Sequence, residues 1–123
     1  MLKDFAKAKR PEDDALSQEV KQAREKLGVY QTKIKEAKLP VMVIFEGWGS
    51  SGKGSAIANV IKNIDPRFFQ VATMDKPATP DELRKPFLYR YFIEIPEAGK
   101  FKFHDSFWMN EVTRDRIEGR LND

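Results

Sequence analysis

The 123-residue chain contains no cysteine, only one histidine and no long apolar run. Without cysteine there can be no disulfide bond, no thiolate nucleophile and no Cys-based metal site. A membrane-spanning helix needs roughly 20 consecutive apolar residues, and no segment of the sequence approaches that length. Residues 1–10 are charged along their length and lack the apolar stretch of a signal peptide. These absences favour a cytoplasmic protein that has no membrane partner.

The formal net charge of +3 is concentrated in the N-terminal third of the chain. Residues 1–39 carry ten Lys or Arg and seven Asp or Glu, whereas residues 40–123 carry twelve of each. Such mixed-sign stretches are typical of solvated helix faces, and a strip that binds a polyanion is the alternative. Because no basic patch is interleaved with stacking aromatics, we expect no nucleic-acid partner.

Apolar residues at alternating steps of four and three predict one long helix from residue 14 to about residue 38. The stripe consists of Leu16, Val20, Ala23, Leu27, Tyr30, Ile34 and Ala37. We expect this stripe to pack against the protein's own sheet, and an intermolecular coiled coil is the alternative. The chain therefore divides into an N-terminal lead-in with an amphipathic helix, residues 1–39, and the front part of a kinase-like domain, residues 40–123.

Three segments are predicted to be strands. Residues 41–46 are uniformly apolar, which is typical of a parallel strand that is buried on both faces. Residues 68–73 and 100–104 are the second and third predicted strands. Helical patterns separate the strands, and this alternation predicts an α/β fold with a parallel sheet. Because three parallel strands leave an unpaired edge, we expect the chain to be the front part of a larger protein.

Three further helices are predicted in this second part of the chain. The first lies between the first two strands, and its inward positions are Ile57, Val60, Ile61 and Ile64. The second extends from Thr79 to about residue 94, with Thr79 as the N-cap and Glu82 as its reciprocal capping partner. The third covers residues 110–120.

The segment with the most chemical information is the turn Gly47-Trp48-Gly49-Ser50-Ser51-Gly52-Lys53-Gly54-Ser55. It lies between a predicted strand and a predicted helix, which is the context in which a G-x-x-x-x-G-K match indicates a phosphate-binding loop, or P-loop. The N-terminus of the helix and the cation of Lys53 both attract an anion there. We predict that a phosphate chain is bound by Gly47, Gly49, Ser50, Ser51, Gly52, Lys53, Gly54 and Ser55. In the common form of the loop, a Ser or Thr that holds Mg²⁺ stands where this chain has Gly54.

Further motifs follow the loop. They are Asp65-Pro66-Arg67, Thr79-Pro80-Asp81-Glu82, Leu88-Tyr89-Arg90-Tyr91-Phe92, Ile95-Pro96 with Gly99, and Phe103-His104-Asp105-Ser106-Phe107-Trp108. Together with the loop, over about residues 27–121, they resemble the polyphosphate kinase 2 family, including the polyphosphate:AMP phosphotransferases. An unrelated nucleotide kinase of the adenylate or thymidylate type is the alternative, and it is weakened by the segments at residues 88–92 and 95–99.

The resemblance implies a P-loop three-layer α/β/α sandwich, here incomplete at its C-terminus, that moves phosphate between inorganic polyphosphate and nucleotides with Mg²⁺. Lys53 and the loop match the family's phosphate-binding site, and we assign Lys53 a catalytic role as well. Arg90 matches an arginine that we assign a catalytic role, because a guanidinium grips phosphate oxygens through two bonds. An exposed cation on a helix surface is the alternative for Arg90. Ser106 matches the serine of the family's second motif.

This sequence departs from the family at its metal-binding positions. Gly49 and His104 stand where the family has carboxylates, and Asp105 stands where it has an arginine. No metal ligand is therefore assured, although the resemblance implies Mg²⁺ as the cofactor. Asp105 could reach the metal only from a strand position that faces the opposite way. His104 is either a proton donor or phosphate contact, or a replacement tolerated at an unused site.

The family includes members with two fused copies of the domain, of which the first lacks the catalytic residues. The chain fits this degenerate N-terminal copy, which implies a catalytic copy in the same chain and a homo-oligomer. We therefore expect part of a polyphosphate:AMP or ADP phosphotransferase, and little or no activity from these residues alone. The alternative is a catalytically inactive domain that binds polyphosphate or nucleotide, or that serves assembly. Trp48 and Trp108 either stack on a nucleobase or pack in the wall of a site or in the core.

Overall fold

The structure, a computed structural model, describes residues 13–120, with side chains from residue 14 onward. Its first element is helix α1 (Asp13–Glu36), which confirms the long amphipathic helix predicted from the apolar stripe. Lys33 and Lys35 lie in the last turn of α1, where positive charge is favourable next to the unpaired carbonyl groups. The polar lead-in before α1 lies outside the described residues, and the domain boundary at residue 39 stays a prediction.

The sheet contains three parallel strands in the order β1-β3-β2. They are β1 (Val41–Phe45), β2 (Phe69–Thr73) and β3 (Phe101–Asp105). At the centre of the sheet, Phe103 of β3 is in register with Val43 of β1 and Val71 of β2. The α/β fold with a parallel sheet is therefore confirmed, and the carboxyl ends of β1 and β3 lie side by side.

Helices connect the strands in the predicted alternation. Helix α2 (Lys53–Ile61) follows β1, and a short 3₁₀ turn (Pro66–Phe68) leads into β2. A one-turn helix, α3 (Tyr89–Phe92), lies between β2 and β3, and α4 (Trp108–Ile117) follows β3. No helix within residues 13–120 has both the length and the apolar character that crossing a bilayer requires.

The main core lies between one face of the sheet and helices α1 and α2. Its buried members are Ile57, Ile64, Phe101 and Phe103, and the residues packed against them are Leu27, Ile34, Val41, Val43, Phe45, Val60, Ile61 and Phe69. The four positions predicted to point inward from α2 all belong to this core, although Ile64 lies after the end of the helix at Ile61. The stripe of α1 packs on the sheet through Leu27 and Ile34, whereas Leu16, Val20 and Tyr30 stay exposed. Only part of the predicted apolar face of α1 is covered within the described residues.

A second, smaller core lies on the opposite face of the sheet. Ala72, Met74 and Tyr91 are buried there, and Phe107 packs against them. Because odd-numbered residues of β3 face the main core, its even-numbered residues, including His104, face this second core. The sheet thus has helical segments on both faces, as a three-layer sandwich requires.

The prediction that the first strand is buried on both faces is wrong. Ile44 in the middle of β1 is 38% exposed. Within the described part of the chain, β1 pairs only with β3 and forms an edge of the sheet. An edge strand with a partly open second face explains this exposure.

The single helix predicted from Thr79 to residue 94 is also wrong. The chain forms a 3₁₀ turn (Glu82–Arg84), an extended residue at Lys85 (φ −104°, ψ 162°) and then α3. Pro86 causes the break, because a proline ring clashes with a helical residue before it and supplies no N–H. The capping box itself is confirmed: Thr79 N donates to Glu82 Oε2 at 2.7 Å, and Glu82 N donates to Thr79 Oγ1 at 3.3 Å.

Candidate functional site

The glycine-rich loop lies at the carboxyl end of β1, and α2 begins at its lysine. Ser50 (φ 62°) and Gly52 (φ 88°) both adopt left-handed backbone conformations. Gly52 does so without steric strain, because glycine has no Cβ atom. Ser51 N donates to Trp48 O at 3.1 Å and closes a turn inside the loop. The chain therefore passes directly from the strand into α2, whose first N–H groups have no acceptor within the helix and are available to an anion.

Lys53 is held over this loop by the backbone. Its Nζ donates to Gly47 O at 2.9 Å and to Trp48 O at 3.1 Å. Lys53 is also the first residue of α2. The ammonium charge and the positive end of the helix consequently lie at the same place, and binding of a phosphate chain there stays a prediction.

Two glycines of the loop differ in what a side chain would meet. A Cβ atom at Gly47 would lie 2.7 Å from Ser51 Oγ, so a side chain at this position would force the Ser51 hydroxyl to move. A Cβ atom at Gly49 would meet nothing within 4 Å. Space for a side chain exists at position 49, so lack of space does not explain the absence of a carboxylate there.

Two cavities lie beside the loop, between it and α4. The first has a volume of about 260 Å³ and is lined by Glu46, Gly47, Trp48, Met109, Asn110 and Thr113. The second, of about 220 Å³, shares Trp48, Asn110 and Thr113 and is also bordered by Gly49, Asp75, Arg114, Ile117 and Glu118. The loop and α4 meet because β1 and β3 are neighbours in a parallel sheet, where ligands bind outside the carboxyl ends of the strands.

Glu46 places a carboxylate at the first cavity. Displacement of water by the surrounding protein raises its pKa, and the backbone of Phe107, the cation of Lys53 and the backbone of Asn110 offset part of that rise. The carboxylate thus lies near both the start of α4 and the loop lysine. Its negative charge makes this cavity unfavourable for a phosphate group.

Arg90 is buried and lies in an ionic cluster with Glu82 and Glu111. Its side chain is 4% exposed and its Nη2 donates to Lys76 O at 2.9 Å. Glu82 and Glu111 approach the guanidinium at 3.9 and 3.6 Å. The alternative of an exposed helix-surface cation is therefore wrong. Arg90 borders neither loop cavity, and its catalytic role stays a prediction.

Tyr91 completes this cluster. Its hydroxyl donates to Glu111 Oε2, and both burial and that bond raise the pKa of Tyr91. One carboxylate of α4 is thus shared by a phenol and a guanidinium of α3. Among the described residues, Arg90 Nε and Nη1 have no partner at hydrogen-bond distance, so the carboxylates of Glu82 near Nε and Glu111 near Nη1 neutralise the guanidinium.

Ser106, which the family resemblance singled out, is buried at the end of β3. It adopts a left-handed conformation (φ 69°), and its N–H donates to Phe45 O at 3.0 Å. Its Oγ accepts from Asn110 Nδ2 at 3.3 Å. Ser106 therefore connects the ends of β1 and β3 with α4 and orients an amide that borders both cavities.

His104 is wholly buried beneath the second core, edge-on to Phe107 with ring centroids 5.0 Å apart. Neither ring nitrogen has a hydrogen-bond partner within residues 13–120. Burial lowers the pKa of His104, Lys102 lowers it further, and Glu94 opposes the change. The surroundings therefore favour the neutral imidazole, and the position is shielded from any ligand at the loop.

We expect His104 to make the protein less stable in mild acid. In the unfolded chain the imidazole titrates near its ordinary pKa of about 6.5, whereas the folded value is lower, so the unfolded chain binds more protons below that pH. The free energy of unfolding should fall as pH drops through the unfolded pKa, and level off below the folded one. Urea unfolding of wild type and His104→Leu, at about pH 7.5 and 5.5, should show a smaller loss in the variant. Equal losses in both proteins would contradict this.

Sequence reasoning did not identify the residues of α4 that border the loop. These are Met109, Asn110, Thr113, Arg114 and Ile117, together with Asp75, which pairs with Arg114 at 3.0 Å. The signal was present, because a helix that follows a neighbouring parallel strand begins at the same edge of the sheet. It could not be used from sequence alone, since strand order was not known.

The sequence profile of the family described as polyphosphate kinase 2 (PPK2) matches residues 10–123. The polyphosphate:AMP phosphotransferase of Pseudomonas syringae pv. tomato is 38% identical over 79 residues, which cover 64% of this chain and 16% of that protein. The GDP-polyphosphate phosphotransferase of Pseudomonas aeruginosa is 32% identical over 89 residues, which cover 72% of this chain and 25% of that protein. The chain thus spans a quarter or less of these curated relatives.

Solved structures agree with the profile. The polyphosphate kinase 2 of Arthrobacter aurescens TC1 superposes with a TM-score of 0.76 at 25% identity, over 84% of this chain and 38% of that one. A candidate polyphosphate kinase 2 of Pseudomonas aeruginosa PA01 has the same fold, with a TM-score of 0.83 at 24% identity, over 98% of this chain and 26% of that one. Because the profile covers nearly all of its residues, the chain belongs to the polyphosphate kinase 2 family.

Proposed function

We propose that this chain is the phosphate-chain-binding part of a polyphosphate-dependent nucleotide phosphotransferase that acts between inorganic polyphosphate and AMP or ADP. The observation that carries the proposal is the position of Lys53, whose ammonium lies over the loop at the first residue of α2. Relatives of the same family are named for phosphotransfer between polyphosphate and AMP, GDP or ADP.

Binding of a phosphate chain follows from an exchange of hydrogen bonds. Lys53 now donates to two neutral carbonyl oxygens, those of Gly47 and Trp48. A phosphate oxygen carries a full charge and makes stronger, charge-assisted bonds with the same ammonium. The N–H groups at the start of α2 add donors directed at the same anion.

Magnesium is the cofactor that the family implies, and the residues at its expected positions do not fit it. Mg²⁺ takes oxygen ligands in a nearly octahedral arrangement. Gly49 offers no side chain, and His104 is wholly buried against Phe107. Asp75 borders the second cavity, but its carboxylate is paired with Arg114. We therefore propose that the metal-holding carboxylates belong to a second, catalytic copy of the domain in the same chain.

A catalytically inactive domain that binds polyphosphate or nucleotide, or that serves assembly, is the second candidate. Two features of the sequence favour this candidate: the loop retains the cation of Lys53, and positions 49 and 104 carry no carboxylate. Turnover of the whole protein separates the two candidates, and phosphate binding by the described residues separates a binding domain from one that serves only assembly. A homo-oligomer and a cytoplasmic location stay predictions from the sequence.

Lys53→Ala is expected to weaken polyphosphate binding by about 1.5–3 kcal/mol, the value of one charge-assisted hydrogen bond. Calorimetric titration of the chain with polyphosphate measures the change, and binding should weaken in both proteins as salt rises. Lys62→Ala is the matched control, because Lys62 lies just after α2 and bonds only to Asn59 within the described residues. Equal affinities for Lys53→Ala and Lys62→Ala would show that the loop does not bind the phosphate chain.

A further inference from the structure

An exposed apolar patch surrounds the two cavities beside the loop. Trp48 is 74% exposed, and Met109 and Ile117 of α4 are 44% and 69% exposed. Trp48 borders both cavities, Met109 borders the first and Ile117 borders the second. Contiguous exposed apolar surface next to a polar site is typical of a ligand-binding surface.

The polar groups of this patch suit a neutral, flat ligand with hydrogen-bonding edges. Asn110 uses one N–H of its amide on Ser106 Oγ, so its carbonyl oxygen and second N–H remain for a ligand. The hydroxyl of Thr113 donates to Met109 O at 2.8 Å inside α4, which leaves its methyl group for packing. Glu46 lines the first cavity, and its ionised carboxylate can accept hydrogen bonds from a ligand but cannot donate them.

These features suit the phosphate groups and the base of a nucleotide at different positions of the site. A phosphate chain gains nothing from an apolar wall and is repelled by the Glu46 carboxylate, so phosphates belong at Lys53 and the start of α2. A nucleobase has a π-face for Trp48, and its edge carries donors and acceptors that match Glu46 and Asn110. Because Lys53 Nζ lies 3.1 Å from the carbonyl of Trp48 itself, base and phosphate positions are adjacent on one loop.

We infer that Trp48 forms a base-stacking surface, so that the loop binds a nucleotide more tightly than its phosphate groups alone would allow. The inference rests on the proposed function, since it takes the loop as the phosphate site. Trp48 thereby becomes a specificity-determining residue that distinguishes a nucleotide from an inorganic phosphate chain. Trp108, on the same helix as Met109 but outside the lining of both cavities, has no such role.

The test titrates the full chain with AMP and, separately, with inorganic tripolyphosphate, in wild type, Trp48→Ala, Trp48→Phe and Trp108→Phe. Trp48→Ala should weaken AMP binding about tenfold, which is the loss of one base–aromatic stack. Tripolyphosphate affinity should not change. Trp48→Phe should restore most of the AMP affinity, because a phenyl ring also stacks, and the control Trp108→Phe should resemble wild type. Thermal unfolding checks that each variant folds, as the exposure of Trp48 leads us to expect.

The outcomes distinguish this inference from the function on which it rests. If wild type binds neither ligand, the phosphate-loop proposal fails and the inference fails with it. If wild type binds tripolyphosphate but AMP affinity is indifferent to Trp48→Ala, only the stacking surface is overturned. Equal weakening of both ligands by Trp48→Ala also overturns it, since the indole would then support the loop without contacting a base.

Discussion

Replacing Glu111 by alanine is expected to lower the free energy of unfolding by about 3–5 kcal/mol, the cost of breaking a buried ion pair by removing one partner. The Glu111 side chain is 14% exposed and the Arg90 side chain 4%. Without the carboxylate, the guanidinium keeps one bond to Lys76 O and a long approach to Glu82. The hydroxyl of Tyr91 also loses its acceptor.

The reason for the large effect is the asymmetry of desolvation. Removing a surface charge returns its partner to water, whereas removing Glu111 leaves the charge of Arg90 where water cannot reach it. Glu111→Gln should cost less than Glu111→Ala, because an amide oxygen still accepts from Tyr91 although it carries no charge. The order alanine, glutamine, wild type therefore separates the loss of charge from the loss of the acceptor.

Urea unfolding followed by circular dichroism measures these differences. Glu97→Ala is the control, since Glu97 pairs with Lys100 at 2.6 Å on the surface with 64% of its side chain exposed. Such a pair is worth at most about 1 kcal/mol. If Glu111→Ala were no more destabilised than Glu97→Ala, Arg90 would not depend on Glu111 for its neutralisation.

The parts of this molecule that the sequence predicts well are those set by neighbouring residues. The loop at Gly47–Ser55 depends on its own glycines, and α2 on the spacing of Ile57, Val60 and Ile61. The capping box at Thr79 and Glu82 spans three residues and was likewise correct. Local conformational preferences and periodicity act over these short distances, so one sequence is enough to locate them.

Features that depend on distant segments were missed or only half described. The burial of Arg90 requires Lys76, Glu82 and Glu111, which the chain brings together from three separate segments. The stripe on α1 predicts which face is apolar, but not that tertiary packing covers Leu27 and leaves Leu16 exposed. No local pattern reports which part of an amphipathic face has a partner.

The broken helix after Thr79 is a different kind of error, because its signal was local. A residue before proline avoids the helical conformation, and Lys85 precedes Pro86. The capping box correctly gave the start of a helical segment, and continuing that segment to residue 94 ignored the proline. As a consequence, Arg90 lies on a separate one-turn helix. The continuous helix that we predicted would have directed its side chain differently.

Phe103→Ala is expected to destabilise the fold by about 3–5 kcal/mol, the cost of removing a buried phenylalanine together with the cavity that remains. Phe103 is 1% exposed on the central strand. Its ring lies 5.8 Å from that of Phe101, 6.2 Å from that of Phe69 and 6.5 Å from that of Phe45, measured between centroids. The ring of Phe103 therefore packs against residues of all three strands. Filling the cavity that its removal leaves would require the strands to move.

The matched control is Phe92→Ala, the same truncation at a ring that is 62% exposed on α3. Because water already covers most of that ring, its removal should change the free energy of unfolding by less than about 1 kcal/mol. Phe45 lies two residues before Gly47, so a shift of β1 in Phe103→Ala should also weaken polyphosphate binding at the loop. Urea unfolding and calorimetric titration of the two variants measure both effects. Similar stabilities for Phe103→Ala and Phe92→Ala would mean that the main core, between the sheet and α1 and α2, does not determine the stability of this fold.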